Sequence, residues 1–239
     1  MRVSRLTMNL VYLLLMSHGT HTFGQILSGE DSSCGPLRPP GQYGPYDFRS
    51  DRDKLPVVVN NHFSPLVEQL IRGQTSTLGA DIAFTLRAIP NHPNALMSMM
   101  LLGEKEKTTN PRGSGYSVEC WFERAIRFRP DDNVVRMIYT SFLTKNKRKP
   151  EAMQQLDVVL TTAKDGAFTH NNVGLLYFDL GEYQKALDQA HKAIKLGLNR
   201  PELRDQLLSV GKWSAPVAGT SEIPSTEPTA PTTSEALKP

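Results

Sequence analysis

The chain has 239 residues, with 27 Lys and Arg against 24 Asp and Glu, a formal net charge of +3 and a mean hydropathy of -0.36. That hydropathy excludes a multi-span membrane protein. The near balance of charge argues against nucleic acid or an anionic membrane as partner, since both need a basic stripe.

The first two dozen residues read as an export leader. Arg2 and Arg5 supply a positive start and Leu10–Met16 (LVYLLLM) a short apolar core; the small and polar residues that follow offer a cleavage point after Gly24. The apolar run falls well short of the ~20 residues a spanning helix needs, and an uncleaved anchor is the alternative. Cleavage would leave 25 basic against 24 acidic residues, and no membrane insertion is expected afterwards.

Residues 25–58 are expected to form an extended arm. CGPLRPPGQYGPYDF is dense in Gly and Pro, which admit neither a helix nor a central strand. Tyr43, Tyr46 and Phe48 are too aromatic for a free linker, so the arm should lie on the folded domain. Only two cysteines, Cys34 and Cys120, are present. In an oxidising compartment an even count favours a disulfide, and this one would be worth about 4 to 5 kcal/mol in the loop-entropy account. Without export, two reduced thiols are the alternative. No zinc-ligand spacing appears, and no metal or other cofactor is expected.

From about residue 64 helices dominate, within a helical domain expected over 59–213. SPLVEQLIRG offers Ser64 as N-cap, Pro65 at the first helical position and Gly73 as terminator. Seven further helix-length apolar segments follow up to LLYFDLG and YQKALDQAHKAIKLG, and RPELRDQLLSVG adds a more polar last helix. No segment alternates at period two, so the fold class is all-α. Beyond Trp213, residues 214–239 are Pro, Thr, Ser and Ala and are expected to stay disordered.

The segments repeat. A shift of 34 residues sets Ala186 on Ala152, Ala190 on Leu156, Ala193 on Val159 and Val173 on Tyr139. One more shift sets Leu156 on Phe122 and Val159 on Ala125, while AIRFRPDD (125–132) matches TLRAIPNH (85–92) after forty residues, the excess falling in the TTNPRGSG insertion. With these spacings the chain resembles the tetratricopeptide repeat family. Gly174 and Tyr177 stand at that family's small and aromatic sites, Gly181 and Tyr183 at its turn, and Ala186 and Ala193 at the small sites of the second helix. Leu198 stands where the family often has proline, Thr140 replaces the first glycine and Lys147 the turn glycine. The resemblance covers roughly 140 of the 239 residues. It implies a right-handed solenoid of antiparallel helix pairs with units 59–92, 93–132, 133–166 and 167–200 and a cap at 201–213. The cysteine and aromatic arm ahead of the repeats is also similar to exported bacterial tetratricopeptide proteins of unassigned activity.

No catalytic constellation is found. Ser114 in GSG lacks a strand–turn–helix setting, the glycine-rich insertion lacks a phosphate-loop lysine, and His62, His92, His170 and His191 are scattered. The resemblance places Met97, Leu101, Met137, Ser141, Asn171, Leu175 and Phe178 on the first helices lining a concave groove, where methionines suit an adaptable peptide-binding surface; the alternative for each is packing between hairpins. A Cys34–Cys120 bond is expected to pin the arm across the convex side, with Tyr43, Tyr46 or Phe48 covering Trp121. The expected function is a non-enzymatic, periplasmic or secreted scaffold gripping a peptide or partner helix, in an envelope assembly or secretion complex. The alternative is an accessory domain or weak enzyme of cell-wall or carbohydrate processing.

Overall fold

The computed structural model describes residues 33–38, 41–164 and 166–216, so the leader and nearly all of the Pro/Thr/Ser tail lie outside the described residues. These residues form ten helices and no strand: α1 (Pro56–His62), α2 (Pro65–Glu68), α3 (Leu78–Ala88), α4 (Pro93–Glu106), α5 (Val118–Phe128), α6 (Asn133–Lys145), α7 (Lys149–Thr162), α8 (Ala167–Asp179), α9 (Tyr183–Lys195) and α10 (Pro201–Ser209). Among the described residues no helix is long and apolar enough to cross a membrane. The chain divides within the first turn of α6 into two compact units, 1–135 and 136–239.

In the first unit α3 packs on α1 and α4, and α4 on α5. The buried stripes recur at helical spacing: Ile82, Leu86 and Ile89 from α3 and its end, Leu96, Met99 and Leu102 from α4, and Trp121, Phe122 and Ala125 from α5. Two local expectations are corrected. Residues 56–58, assigned to the extended arm, open α1, because Pro56 starts the helix and Val58 inserts into a cluster with Leu55, Ala88 and Ile89. The segment after Ser64 makes only the four residues of α2; Leu70 adopts a left-handed backbone (φ 57°) and ends it before Gly73.

In the second unit α8 packs on α9, and α10 packs on both. Gly174 permits this close approach: a Cβ there would lie 2.4 Å from Leu203 of α10 and 3.3 Å from the Ala186 carbonyl and Gln189 Cβ of α9. Ala186, Ala190 and Ala193 are buried at the same contact, so small side chains bring helices within packing range. Thr140, wholly buried, satisfies its hydroxyl on the Arg136 carbonyl.

The local geometry repeats along the chain. Helices α4, α6, α8 and α10 begin at residues 93, 133, 167 and 201. The turns leaving α4, α6 and α8 place Lys107, Lys147 and Gly181 in the left-handed region, at φ 53°, 60° and 73°. Each turn closes the same six-residue bond, Thr108 N–H to Gly103 O, Arg148 N–H to Leu143 O and Glu182 N–H to Tyr177 O, the Schellman pattern of a helix C-terminus. Caps match as well. Thr77 and Ser117 each accept from the N–H three residues on, and the residues ending α3 and α5, Ile89 and Arg129, share φ near -137° and -136°. His92 caps α4 through the Ala95 N–H, and Asp132, forty residues later, caps α6 through the N–H groups of Val134 and Val135.

Candidate functional site

The arm is fastened to α3 and α5 at three places. Cys34 and Cys120 form a disulfide, with Cα atoms 5.1 Å apart. Arg124, wholly buried on α5, donates from Nη1 to the carbonyls of Cys34, Gly35 and Pro36 at 2.9, 3.3 and 2.8 Å, and Arg127 Nη2 donates to Gly35 O at 2.8 Å. A buried guanidinium without an acidic partner is costly; here three carbonyl dipoles and the faces of Tyr116 and Trp121, 4.9 and 5.3 Å away, offset the charge. Nε and Nη2 of Arg124, Nε of Arg127 and Nε1 of Trp121 are buried and have no hydrogen-bond partner among the described residues.

The cover expected for Trp121 is corrected. Its ring partner is Tyr116, which directly follows the insertion, at 5.3 Å between ring centroids, and Arg124 lies over it, leaving Trp121 1% exposed. Tyr46 and Phe48 instead pack on Leu55, Val58, Ala88 and Ile89, and Phe48 also meets His92. Tyr43 contacts Tyr46 and stays half exposed. The arm's backbone dictates this route: the Tyr46 N–H reaches Ala88 O at 2.8 Å, and Gly44 passes so close that a Cβ would lie 2.4 Å from that carbonyl.

A polar node completes the fastening. The Asn91 amide, buried in the turn between α3 and α4, donates to Asp47 at 2.7 Å and Asp132 at 2.9 Å and accepts the Phe48 N–H. Arg129 and Arg49 also meet Asp47, and Arg49 continues to Asp131. Burial pushes the Asp47 carboxyl up, but Arg49, Asn91 and Arg129 outweigh it and hold the group ionised well below the usual range.

A second buried carboxylate, Asp81, accepts the N–H groups of Gln74, Thr75 and Ser76 and the Thr75 hydroxyl, with His62 Nδ1 at 3.2 Å. Burial opposes ionisation there too, yet the Thr75 hydroxyl, Gln74 N–H and His62 hold its carboxyl at about 2. The imidazole stacks on Phe84 at 3.8 Å. An aspartate that orients a histidine is one part of a hydrolytic triad, but the hydroxyl beside it, Thr75, meets the same ring nitrogen as the aspartate. The arrangement straps the 73–77 loop rather than activating a nucleophile. Ser114 is likewise internal, its hydroxyl donated to Tyr116 O.

The residues read as a groove separate by environment. Met97 and Leu101 are exposed, one turn apart on α4, beside the strip where Ser98 bonds Glu68 O and Lys105 bonds Leu70 O. Met137, Ser141, Leu175 and Phe178 are half-buried; Ser141 bonds back to Met137 O and Phe178 meets Tyr183. Asn171 is corrected: it is 5% exposed, next to the buried His170–Gln189 hydrogen bond of 2.7 Å, and offers no amide to a ligand at the surface.

No family model, curated protein or solved structure matches the chain.

Two further features are absent from the sequence reading. Among the described residues, Cys34, Cys120 and Glu123 are close enough to share a metal ion, but both sulfurs are spent in the disulfide and no thiolate remains to ligate. A recess of about 260 Å³ lies between the arm and α3, lined by Gly41, Gln42, Tyr43, Phe84, Arg87 and Ala88. Arg87 gave one sequence signal: the forty-residue shift places it on Arg127, the residue that holds the arm.

Proposed function

We propose that this is an exported helical-repeat protein of tetratricopeptide type that holds a protein or peptide partner and performs no chemistry of its own. The observation that carries the reading is the uncovered apolar strip of the first unit. Met97 and Leu101 are 45% and 39% exposed on α4, and Leu66 and Ile71, at and just beyond the neighbouring α2, are 38% and 60% exposed. Exposed apolar side chains gathered on adjoining elements mark an interaction surface, and methionine adapts to varied partners. The arm supports the same reading by lying on α3 and α5, which leaves α4 open. Turns repeated at residues 107, 147 and 181 support stacked helix pairs, and the disulfide suits an oxidising compartment. A partner with an amphipathic helix or an apolar extended segment fits this strip, consistent with an envelope or secretion complex.

The test replaces Met97 by a photo-reactive residue in the full, oxidised chain and cross-links in the producing cells. A discrete adduct that disappears in the Leu101→Asp, Ile71→Asp variant, with an unchanged melting temperature, supports the strip. The same adduct formed from a photo-reactive residue at exposed Lys212 sinks it.

A further inference from the structure

Arg87 and Arg127 occupy the same position of α3 and α5, forty residues apart, but their surroundings differ. Arg127 gives an N–H to a carbonyl oxygen of the arm, Gly35 O, at 2.8 Å. Arg87 faces the recess and lies over the face of Phe84 at 5.9 Å, with Tyr116 also near; among the described residues no ion pair to an acidic side chain is seen for it. Half-buried, it lies within reach of a like charge, Arg124 of α5, and near the ring of Tyr116. Burial lowers the pKa of Arg87, as expected for a cation with nothing to balance it. The opposite wall adds two features. Tyr43 is half exposed and supplies an aromatic edge, and Gln42 contributes an amide. Phe84, held flat by its stack on His62, forms an apolar side.

We propose that the recess between Gly41–Tyr43 and α3 binds a carboxylate carried on a small flat or apolar body, with Arg87 receiving the carboxylate as Arg127 receives the arm carbonyl. The physical case is complementarity. Guanidinium recognises a carboxylate through two parallel N–H donors, and the like charge of Arg124 close to Arg87 raises the local potential for an anion. Phe84 and Tyr43 accept an apolar or aromatic group beside it. Size restricts the ligand further. At about 260 Å³ the recess falls just below the usual range of roughly 300 to 1,000 Å³ for small-molecule sites. It therefore suits one aromatic or short aliphatic acid, or the last residue of a polypeptide, rather than a nucleotide or a longer oligomer. The site uses none of the residues on the α4 strip and stands independently of that reading.

The experiment titrates the full, disulfide-bonded chain with phenylacetate, phenylacetamide and acetate, and with N-acetyl-glycyl-phenylalanine and its C-terminal amide, by calorimetry. Phenylacetate is expected to bind at least tenfold more tightly than either phenylacetamide or acetate. Arg87→Gln should remove at least tenfold of that affinity, Arg87→Lys should restore part of it, and Tyr43→Ser should weaken phenylacetate more than acetate. Met97→Asp should leave all of these values unchanged. If the peptide acid exceeds phenylacetate and its amide does not, the natural ligand is a chain terminus; if phenylacetate alone binds, it is a free acid. Equal binding of acid and amide, or an Arg87→Gln variant that binds phenylacetate like the parent, overturns the proposal.

Discussion

Arg124 donates to the carbonyl of Cys34, ninety residues away in sequence, from a side chain that solvent does not touch. The same guanidinium reaches Gly35 and Pro36, so one cation gathers three successive carbonyls and fixes the arm where the disulfide begins. Arg124→Ala is expected to destabilise the first unit by roughly 3 to 5 kcal/mol, because it strands buried acceptors and opens a cavity. Arg124→Lys should recover only part of this, since a single ammonium cannot fork toward three oxygens. Urea unfolding of the oxidised chain measures both.

The disulfide provides a separate prediction. Reduction should lower stability by about 4 to 5 kcal/mol in the loop-entropy account. The native protein should resist alkylation and should show a two-dalton mass gain with a reductant. Cys120 is half-buried and Cys34 is 1% exposed, so Cys120 should be modified first under gentle reduction.

Stability should depend on pH through His92. Burial, and the charge of Arg52 to a lesser degree, lower its pKa to about 4, and its Nδ1 accepts the Ala95 N–H, which requires the neutral ring at that atom. The unfolded chain therefore binds the proton first. The stabilisation is whole above the unfolded value of about 6.5 and is lost as pH falls toward 4, an effect on the order of 3 kcal/mol. Asp81, held at about 2, adds a second loss as pH falls below the ordinary carboxylate value of 3.8. His92→Asn keeps a capping acceptor and should flatten the upper part of the curve while leaving the acid limb. Melting temperatures from pH 7 to 2.5 check both parts.

The turns predict opposite outcomes for glycine gain and loss. Lys147→Gly removes a left-handed penalty of about 1 kcal/mol and returns part of it as unfolded-chain entropy, for a net gain of roughly 0.5 kcal/mol. Lys147→Val should destabilise. Gly174→Ala forces Leu203 aside and should cost about 1 to 2 kcal/mol despite the better helix propensity of alanine. Thermal unfolding of the three variants distinguishes these signs.

How far the sequence foretold this molecule follows from what each residue answers to. Ala152, Ala186 and Ala193 lie on helical stripes whose period is written locally, and all three are buried. Lys147 could be matched to Gly181 by spacing alone, and both take the left-handed backbone. The cysteine pair needed only counting. The path of the arm was not legible, because glycine and proline carry no period and Asp47 meets partners 44 and 82 residues away. The cover of Trp121 was not legible because Tyr116 stands just after the 108–115 insertion, where the spacing of the segments is broken. Nothing local to Arg87 marks its role; only an arm folded back over α3 turns it into the wall of a recess.

Asp47 carries a consequence for how the molecule is made. Helix pairs stacked on neighbours can form one after another from local contacts, and such topologies assemble quickly. A carboxylate that joins Asn91 to Arg129 while leading a segment stapled to α5 requires α3 and α5 to be present together first. During synthesis from the N-terminus, the arm emerges long before its seat. Locking of the first unit should therefore be late, and any factor met during synthesis would encounter it with its front still unfastened.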